Sequence, residues 1–214
     1  MASHRAGGAA MTSSCDLVVV GAGPTGLTLA LQATMFGAHV RIIERRTGPR
    51  VWAPALAIHP RTMEILRGLG VADGLLSRGL RSVDLEIHVD GSAVEGSLAD
   101  LHLPATEYPF VFFAPQPEVE AVLRQKLASL GVDVEWTATF DGFEPREDGL
   151  LCSVAVDGDE RLISARYLVG CDGADSTVRR ETHIPFRGRS YRESILIADL
   201  GPTDGLDSGT AHAF

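Results

Sequence analysis

The sequence predicts an α/β fold: a parallel sheet opened by a strand–helix–strand unit, a β-meander, and the start of an inserted antiparallel sheet. Three observations predict it. The apolar run Leu17–Val20 is followed by Gly21, Gly23 and Gly26 and then by apolar residues at helical spacing. Residues 138–165 carry short strand-like runs separated by Glu147-Asp148-Gly149 and Asp157-Gly158-Asp159, both turn-forming. Residues 82–90 alternate strictly, with Val83, Leu85, Ile87 and Val89 against Asp84, Glu86, His88 and Asp90, the pattern of a half-exposed antiparallel strand.

The opening unit spans Asp16 to Glu44. Leu17–Val20, with three valines, reads as a strand buried on both faces. The G-x-G-x-x-G spacing of Gly21, Gly23 and Gly26 has a physical role at each position: a tight turn out of the strand, room for a phosphate beside the backbone, and close packing of helix on sheet. Pro24 suits a first helical turn. Leu27, Ala30, Leu31 and Met35 fall on one helical face, and Gly37 ends the helix. Free amides at that helix N-terminus attract phosphate, and the Thr25 hydroxyl adds a donor. Val40–Ile43 form the next strand. Glu44 follows it, 18 residues past Gly26, close to the roughly 20-residue offset of an acid that accepts a ribose 2′-OH. A carboxylate there repels a 2′-phosphate, so this Rossmann-like βαβ unit is expected to hold FAD or NAD rather than NADP. In the following loop, Arg45 reads equally as a solvated turn residue or as a cation near dinucleotide phosphates, and Arg46 reads as solvated.

Further along, residues 51–58 are too apolar for a free loop, and Pro60 starts a helix with Met63, Leu66 and Leu69 on one face, ended by Gly70. Asp90-Gly91 makes a hairpin turn, His88 reads as a surface residue, and Val111–Phe113 form a short strand. A helix over 117–130 carries Val119, Leu123, Leu127 and Leu130 on one stripe and is capped by Gly131, and 132–136 return to a strand. After the meander strands at 138–144, 150–156 and 160–165, Tyr167–Gly170 form another apolar run. It ends in Cys171-Asp172-Gly173, which places a carboxylate at the C-terminal edge of a parallel sheet, although Asp-Gly by itself is commonly a turn. Residues 191–200 begin a further strand. The domain division expected is a leader over 1–14, a dinucleotide domain over 15–80 and 114–184, and a second, partial domain over 81–113 and 185–214.

With 45% hydrophobic and 22% charged residues the chain supports a packed core. Nineteen basic against 28 acidic residues, a formal charge of −9, argue against a nucleic-acid partner. No apolar run approaches the ~18 residues of a membrane helix, so no membrane partner is expected. Residues 1–14 lack a signal-peptide core. Three widely spaced cysteines, Cys15, Cys152 and Cys171, suggest a reducing cytoplasm and neither a disulfide framework nor a metal site.

GAGPTG with IIER, then PQPEVEAVL with Gln116, Glu120 and Leu123 at Q-x3-E-x2-L spacing, then YLVGCDGADSTVRR occur in this order. Together they resemble the group A flavoprotein monooxygenases, the para-hydroxybenzoate hydroxylase family, and ALAIHPRTMEILRGLG looks most like the branch acting on aromatic polyketides and phenols. The resemblance covers nearly all of residues 15–200. It implies that Gly21, Gly23, Pro24, Thr25 and Gly26 bind the FAD pyrophosphate, and that Glu44 binds the adenosine ribose with Arg45 beside it. Gln116 is implied to contact the flavin side, Asp172 and Gly173 to belong to a motif linked to FAD and NAD(P)H with Arg179 near it, and the backbone around Phe140 to touch the adenine. It implies an aromatic hydroxylase in which NADH or NADPH reduces FAD and a C4a-hydroperoxyflavin oxygenates a small phenolic or polyketide-type substrate with O2. No side chain is expected to act as a catalyst.

Two departures stand out. Pro54 occupies a position where the family usually has arginine near the flavin, and residues 174–214 supply no later Gly-Asp motif. The expectation is an N-terminal portion of a longer enzyme, completed by a missing C-terminal part or by a homodimer. Alternatives are another FAD-superfamily oxidoreductase, such as a halogenase or an isoprenoid reductase, and a non-catalytic FAD-binding fragment. The halogenase W-x-W-x-I-P run is absent.

Overall fold

The computed structural model describes residues 12–51, 57–81, 84–89, 92–97, 106–189 and 210–213 of the chain. In chain order, β1 (Thr12–Val20), α1 (Pro24–Met35) and β2 (Val40–Ile43) form the opening unit. Then come β3 (Ala57–Ile58), α2 (Pro60–Gly68), α3 (Ala72–Leu76), β4 (Leu80–Arg81), β5 (Asp84–Val89), β6 (Ser92–Ser97) and β7 (Phe112–Phe113). α4 (Gln116–Ser129) leads into β8 (Val134–Glu135), β9 (Ala138–Arg146), β10 (Gly149–Val156) and β11 (Asp159–Gly170), followed by α5 (Thr177–Glu181) and β12 (Thr210–Ala213).

Two compact units result: Met1–Pro49 with Leu123–Ser190, and Arg50–Val122 with Tyr191–Phe214. These boundaries differ from those expected, because residues 50–80 and 114–122 fall in the second unit. The expected leader also changes at its end: Thr12–Ser14 belong to β1, pairing with Leu162–Ser164 of β11. The remainder of the leader, Pro54, the Asp90-Gly91 turn and the strand at 191–200 lie outside the described residues.

The first unit is a six-stranded sheet in the order β8-β2-β1-β11-β10-β9. β8, β2, β1 and β11 run parallel, and β10 and β9 continue the sheet antiparallel. The third meander strand and the apolar run at 167–170, expected as separate pieces, are one strand, β11. Its first half pairs antiparallel with β10, while Leu162–Gly170 pair parallel with β1, so this strand joins the meander to the dinucleotide sheet. The turn at Asp157-Gly158 has positive φ at both residues (53° and 90°), the geometry a two-residue hairpin requires.

α1 packs on β1 and β2, burying Leu27, Ala30 and Leu31, whereas Met35, expected on the same face, is exposed at the last turn. α5 lies on β9 and β11. Val18, Val20, Ile43, Phe140, Cys152, Val154, Ile163 and Val178 form one continuous buried cluster on that side.

In the second unit, β3, β7 and β4 form a small antiparallel sheet with Phe112 fully buried. α2 and α3 bury Met63, Leu66, Ala72 and Leu75. β5 and β6 pair antiparallel with Val89 opposite Ser92. β12 then joins β5 in parallel, so the inserted sheet is mixed rather than purely antiparallel. The alternation along β5 does not bury its apolar face, since Ile87 and Val89 remain exposed. No helix among the described residues is long and apolar enough to cross a membrane.

Candidate functional site

Parallel register brings three strand ends side by side. Val20 lies opposite Ile43 of β2 and Gly170 of β11. The next residues on each strand therefore share one edge: Gly21 N–H donates to Ile43 O at 2.8 Å, and Cys171 N–H to Val20 O at 2.7 Å. Gly21, Glu44 and Cys171-Asp172 converge at the carboxyl edge of the parallel strands, the position where open α/β sheets bind ligands.

The glycines there do different work. Gly21 has φ +103°, and a Cβ on it would lie 2.4 Å from Cys171 O. A Cβ on Gly26 would lie 1.9 Å from Gly21 O. Both are glycine because the protein's own backbone fills the space. Gly23 has φ −78° and ψ −179°, an extended conformation open to any residue, and a Cβ on it would meet nothing within 4 Å. No contact within the unit explains why position 23 carries hydrogen alone. Gly23 is also the N-cap of α1 and supplies no side-chain cap. Pro24 occupies the first turn, and that turn holds no acidic residue. The opening amides of a 12-residue helix therefore carry their partial positive charge without a side-chain cap. Thr25 is exposed beside them.

Glu44 closes the other side. It is buried, and its Oε2 accepts Ala22 N–H at 2.9 Å, which ties the tip of β2 to the glycine loop. Its Oε1 accepts Arg46 N–H at 3.0 Å. The Arg46 guanidinium faces both oxygens, with Nη2 donating to Oε2 and Nε near Oε1, each at 3.2 Å. Burial pushes this carboxyl up, but the Arg46 guanidinium and the two backbone N–H donors outweigh burial and hold it below the usual carboxylate range.

Asp172 packs against the same loop through its backbone, since a Cβ on Gly21 would lie 2.9 Å from Asp172 Cα. Its side chain points into α5. Oδ1 accepts the Ser176 hydroxyl at 2.5 Å, and Oδ2 accepts Thr177 N–H at 2.6 Å and Val178 N–H at 3.2 Å. Ser176 Oγ in turn accepts Arg179 N–H at 3.0 Å. Gly173, at φ +85°, is exposed next to this cap.

Residues 14–205 match the FAD binding domain family. The chain belongs to that family. It is 37% identical over 190 residues to 6-methylpretetramide 4-monooxygenase of Streptomyces rimosus, covering 86% of this chain and 34% of that one. Its fold matches p-nitrophenol 4-monooxygenase from Pseudomonas putida with TM-score 0.77 at 26% identity, over 84% of this chain and 46% of that chain. It also matches aklavinone-11 hydroxylase, solved with FAD and aklavinone, with TM-score 0.72 at 28% identity over 79% and 35%. The chain thus spans between about a third and a half of the length of these relatives. The resemblance to group A flavoprotein monooxygenases carried by its motifs agrees with all three.

Within this FAD-binding domain, Gly21, Gly23, Pro24, Thr25, Gly26, Glu44 and the Asp172 backbone come together in one unit. Arg45 is exposed, and it is Arg46 that pairs with Glu44, with its guanidinium 6.0 Å from the Trp136 ring centroid. The expectation of a solvated Arg46 is corrected. On extended backbone, residues two apart project to the same side, and this i, i+2 spacing is the signal that could have found the pair. The Trp136-Thr137 turn is held against the loop by Thr137 N–H donating to Arg46 O and Ala138 N–H to Glu44 O, at 2.9 and 3.0 Å. Phe140 contributes its side chain to the buried cluster, and its backbone belongs to β9, opposite Val154. The Arg179 guanidinium donates to Ala174 O at 2.7 Å and lies 4.5 Å from the centroid of the exposed Phe186 ring. Gln116 belongs to the second unit, where its Nε2 donates to the fully buried Glu120 Oε1 at 2.8 Å. No group of His, Cys, Asp or Glu among the described residues could hold a metal.

Proposed function

We propose that this chain supplies the FAD-binding portion of an aromatic hydroxylase that uses NADH or NADPH and O2 on a phenolic or polyketide-type ring. The observation that carries the reading is the open, uncapped start of α1 at Gly23 with Glu44 fixed beside it, in a chain of the FAD binding domain family. The residues fit such a group: of the three glycines in the G-x-G-x-x-G loop, the one that no protein contact requires lies at the start of the helix, and a carboxylate held ionised stands at the tip of the neighbouring strand.

In this reading the α1 amides and Thr25 hold the pyrophosphate, and Glu44 accepts from the adenosine ribose. Gly173 lets the chain pass close to the cofactor while Asp172 fixes the loop from behind. When bound, FAD supplies the redox chemistry, taking electrons from the nicotinamide and activating O2 for transfer to the ring. Named substrates of the relatives, among them 6-methylpretetramide, p-nitrophenol and aklavinone, support an electron-rich aromatic compound.

Gly23→Ser separates binding from folding. Serine is a favoured N-cap and its Cβ meets no atom, so the thermal midpoint without cofactor stays at or above that of the parent. Its hydroxyl occupies the amides meant for phosphate, so the dissociation constant for FAD, read from flavin fluorescence quenching, rises by at least about tenfold, or ~1.4 kcal/mol. Unchanged FAD affinity in the folded variant would remove the basis for this assignment.

A further inference from the structure

β11 changes character along its length. Over Ile163–Arg166 it alternates, with Ile163 and Ala165 buried and Ser164 and Arg166 not, and through Ala165 it is paired on both sides, with β10 and with β1. From Tyr167 to Val169 it is apolar at successive positions, the pattern of a strand in a parallel sheet covered on both faces. There the pairing falls to one side. Tyr167–Gly170 lie against Leu17–Val20 of β1, but the ladder with β10 reaches no further than Ala165, and among the described residues no strand takes its place. Burial follows the pairing. Leu17, Val18, Val19 and Val20, flanked by β2 and β11, are between 0% and 9% exposed. Their register partners differ: Tyr167 is 62% exposed, Leu168 and Val169 are half-buried, and Gly170 is exposed. Cys171 N–H donates to Val20 O, and backbone groups alternate sides along a strand. Tyr167 and Val169 therefore face β1, while Leu168 and Gly170 turn their N–H and C=O groups toward the unpaired side. β10 closes that side at the amino end of the stretch, where a Cβ on Gly149 would lie 2.2 Å from Ala165 O.

We propose that Leu168 and Gly170 form the docking edge for a further β-strand running parallel to β11, and that this strand comes from the same polypeptide, out of the length that the relatives carry beyond the part this chain spans. The parallel direction follows from the apolar character of both faces at Tyr167–Val169 and from the parallel β1 on the other side. A second copy of the chain is the poorer occupant. A two-fold axis would set this edge against itself in antiparallel. So short an edge also buries far less than the roughly 1,200 Å² of a stable interface, and each copy carries a formal charge of −9. A strand of the same chain avoids the entropy lost on association. Once seated, its carboxyl end emerges beside Cys171 and Asp172, and the sheet needs it whatever ligand that edge takes.

The test compares the 214-residue chain with the same chain continued along its gene to the length of the relatives, by amide hydrogen exchange resolved residue by residue. In the 214-residue chain the Leu168 and Gly170 amides are expected to exchange at least about a hundredfold faster than those of Tyr167 and Val169, and in the continued chain all of them come within about tenfold of one another. Leu168→Pro gives an independent reading, because proline is tolerated on an edge strand where the N–H faces solvent and not where it faces a neighbour. Its thermal midpoint is expected to stay within about 3 °C of the parent in the 214-residue chain and to fall by more than about 8 °C in the continued one, while Val169→Pro is destabilised in both. Leu168 and Gly170 amides that exchange alike in the two chains, or a Leu168→Pro variant equally destabilised in both, overturn the proposal. Protection in the 214-residue chain that grows with protein concentration overturns it in favour of a second copy, and a gene that encodes nothing past Phe214 removes the proposed occupant.

Discussion

Glu44 shows how one side chain takes its properties from its neighbours. A buried carboxylate on its own would rise in pKa, but charge-assisted donors from Arg46 and the Ala22 amide reverse the sign. The consequence is a pH dependence of stability. Folding lowers this pKa below the ordinary value of 4.5, so the folded chain binds fewer protons here than the unfolded chain. The stabilisation is present above that value and is lost as pH falls through the lowered folded pKa. Glu44→Gln is therefore expected to be less stable than the parent at pH 7, with the gap narrowing as pH falls below about 4.5 in denaturant titrations. A gap that stays constant over this range would mean that Glu44 does not titrate with folding. The glycines show the other side of the residue scale. Their spacing is visible in the sequence, but which of them serves the protein's own packing and which serves a ligand is not. Only the backbone distances separate Gly21 and Gly26, forced by contacts at 2.4 and 1.9 Å, from Gly23, which is open.

At the scale of elements, α5 illustrates a short helix held by its cap. Five residues cannot sustain a helix by propensity. Asp172 and Ser176 supply what is missing by satisfying the opening amides of Thr177, Val178 and Arg179. Arg180, in the last turn, donates to Asp175 O and to the Thr177 hydroxyl. Asp172→Ala is expected to cost about 1–2 kcal/mol in urea unfolding, and Ser176→Ala about 1 kcal/mol, the usual scale of a lost cap. Hydrogen exchange at the Thr177 and Val178 amides should accelerate in the first variant. Exchange and stability both unchanged would show that the carboxylate is not the cap. Sequence alone places the carboxylate of the Asp-Gly pair at the sheet edge, yet the side chain turns back into the fold and it is the backbone that meets the glycine loop. Sequence spacing places a residue at an edge. It does not say which way the side chain will find its hydrogen bonds.

For the molecule as a whole, the cysteines report on the opening of the sheet of the first unit. Cys15 on β1 and Cys152 on β10 are both buried in its core. Burial, followed by the neighbouring Cys15, pushes the Cys152 thiol up to about 12, and burial likewise raises Cys15 and Cys171. Thiolate is the reactive form, so these groups are expected to be inert in the folded chain at pH 8. Alkylation of Cys152 monitored by mass spectrometry should follow the rate of global opening and accelerate with urea in step with unfolding. Rapid labelling of Cys152 under native conditions would mean that the β10 region opens locally.

The sequence alone determined the opening strand–helix–strand unit, the helix started by Pro60, the helix expected over 117–130 and found over Gln116–Ser129, the turns of the meander and the acidic residue at the tip of β2. Each rests on a local periodicity or on glycine and proline chemistry, which depend on near neighbours in the chain. The tertiary structure alone decided that the last meander strand and the run ending at Gly170 are one strand, that residues 50–80 belong to the second unit, and that β12 pairs parallel with β5. Those outcomes depend on strand pairing and side-chain contact across long stretches of sequence, where spacing carries no information and only the competition among packed partners selects the result.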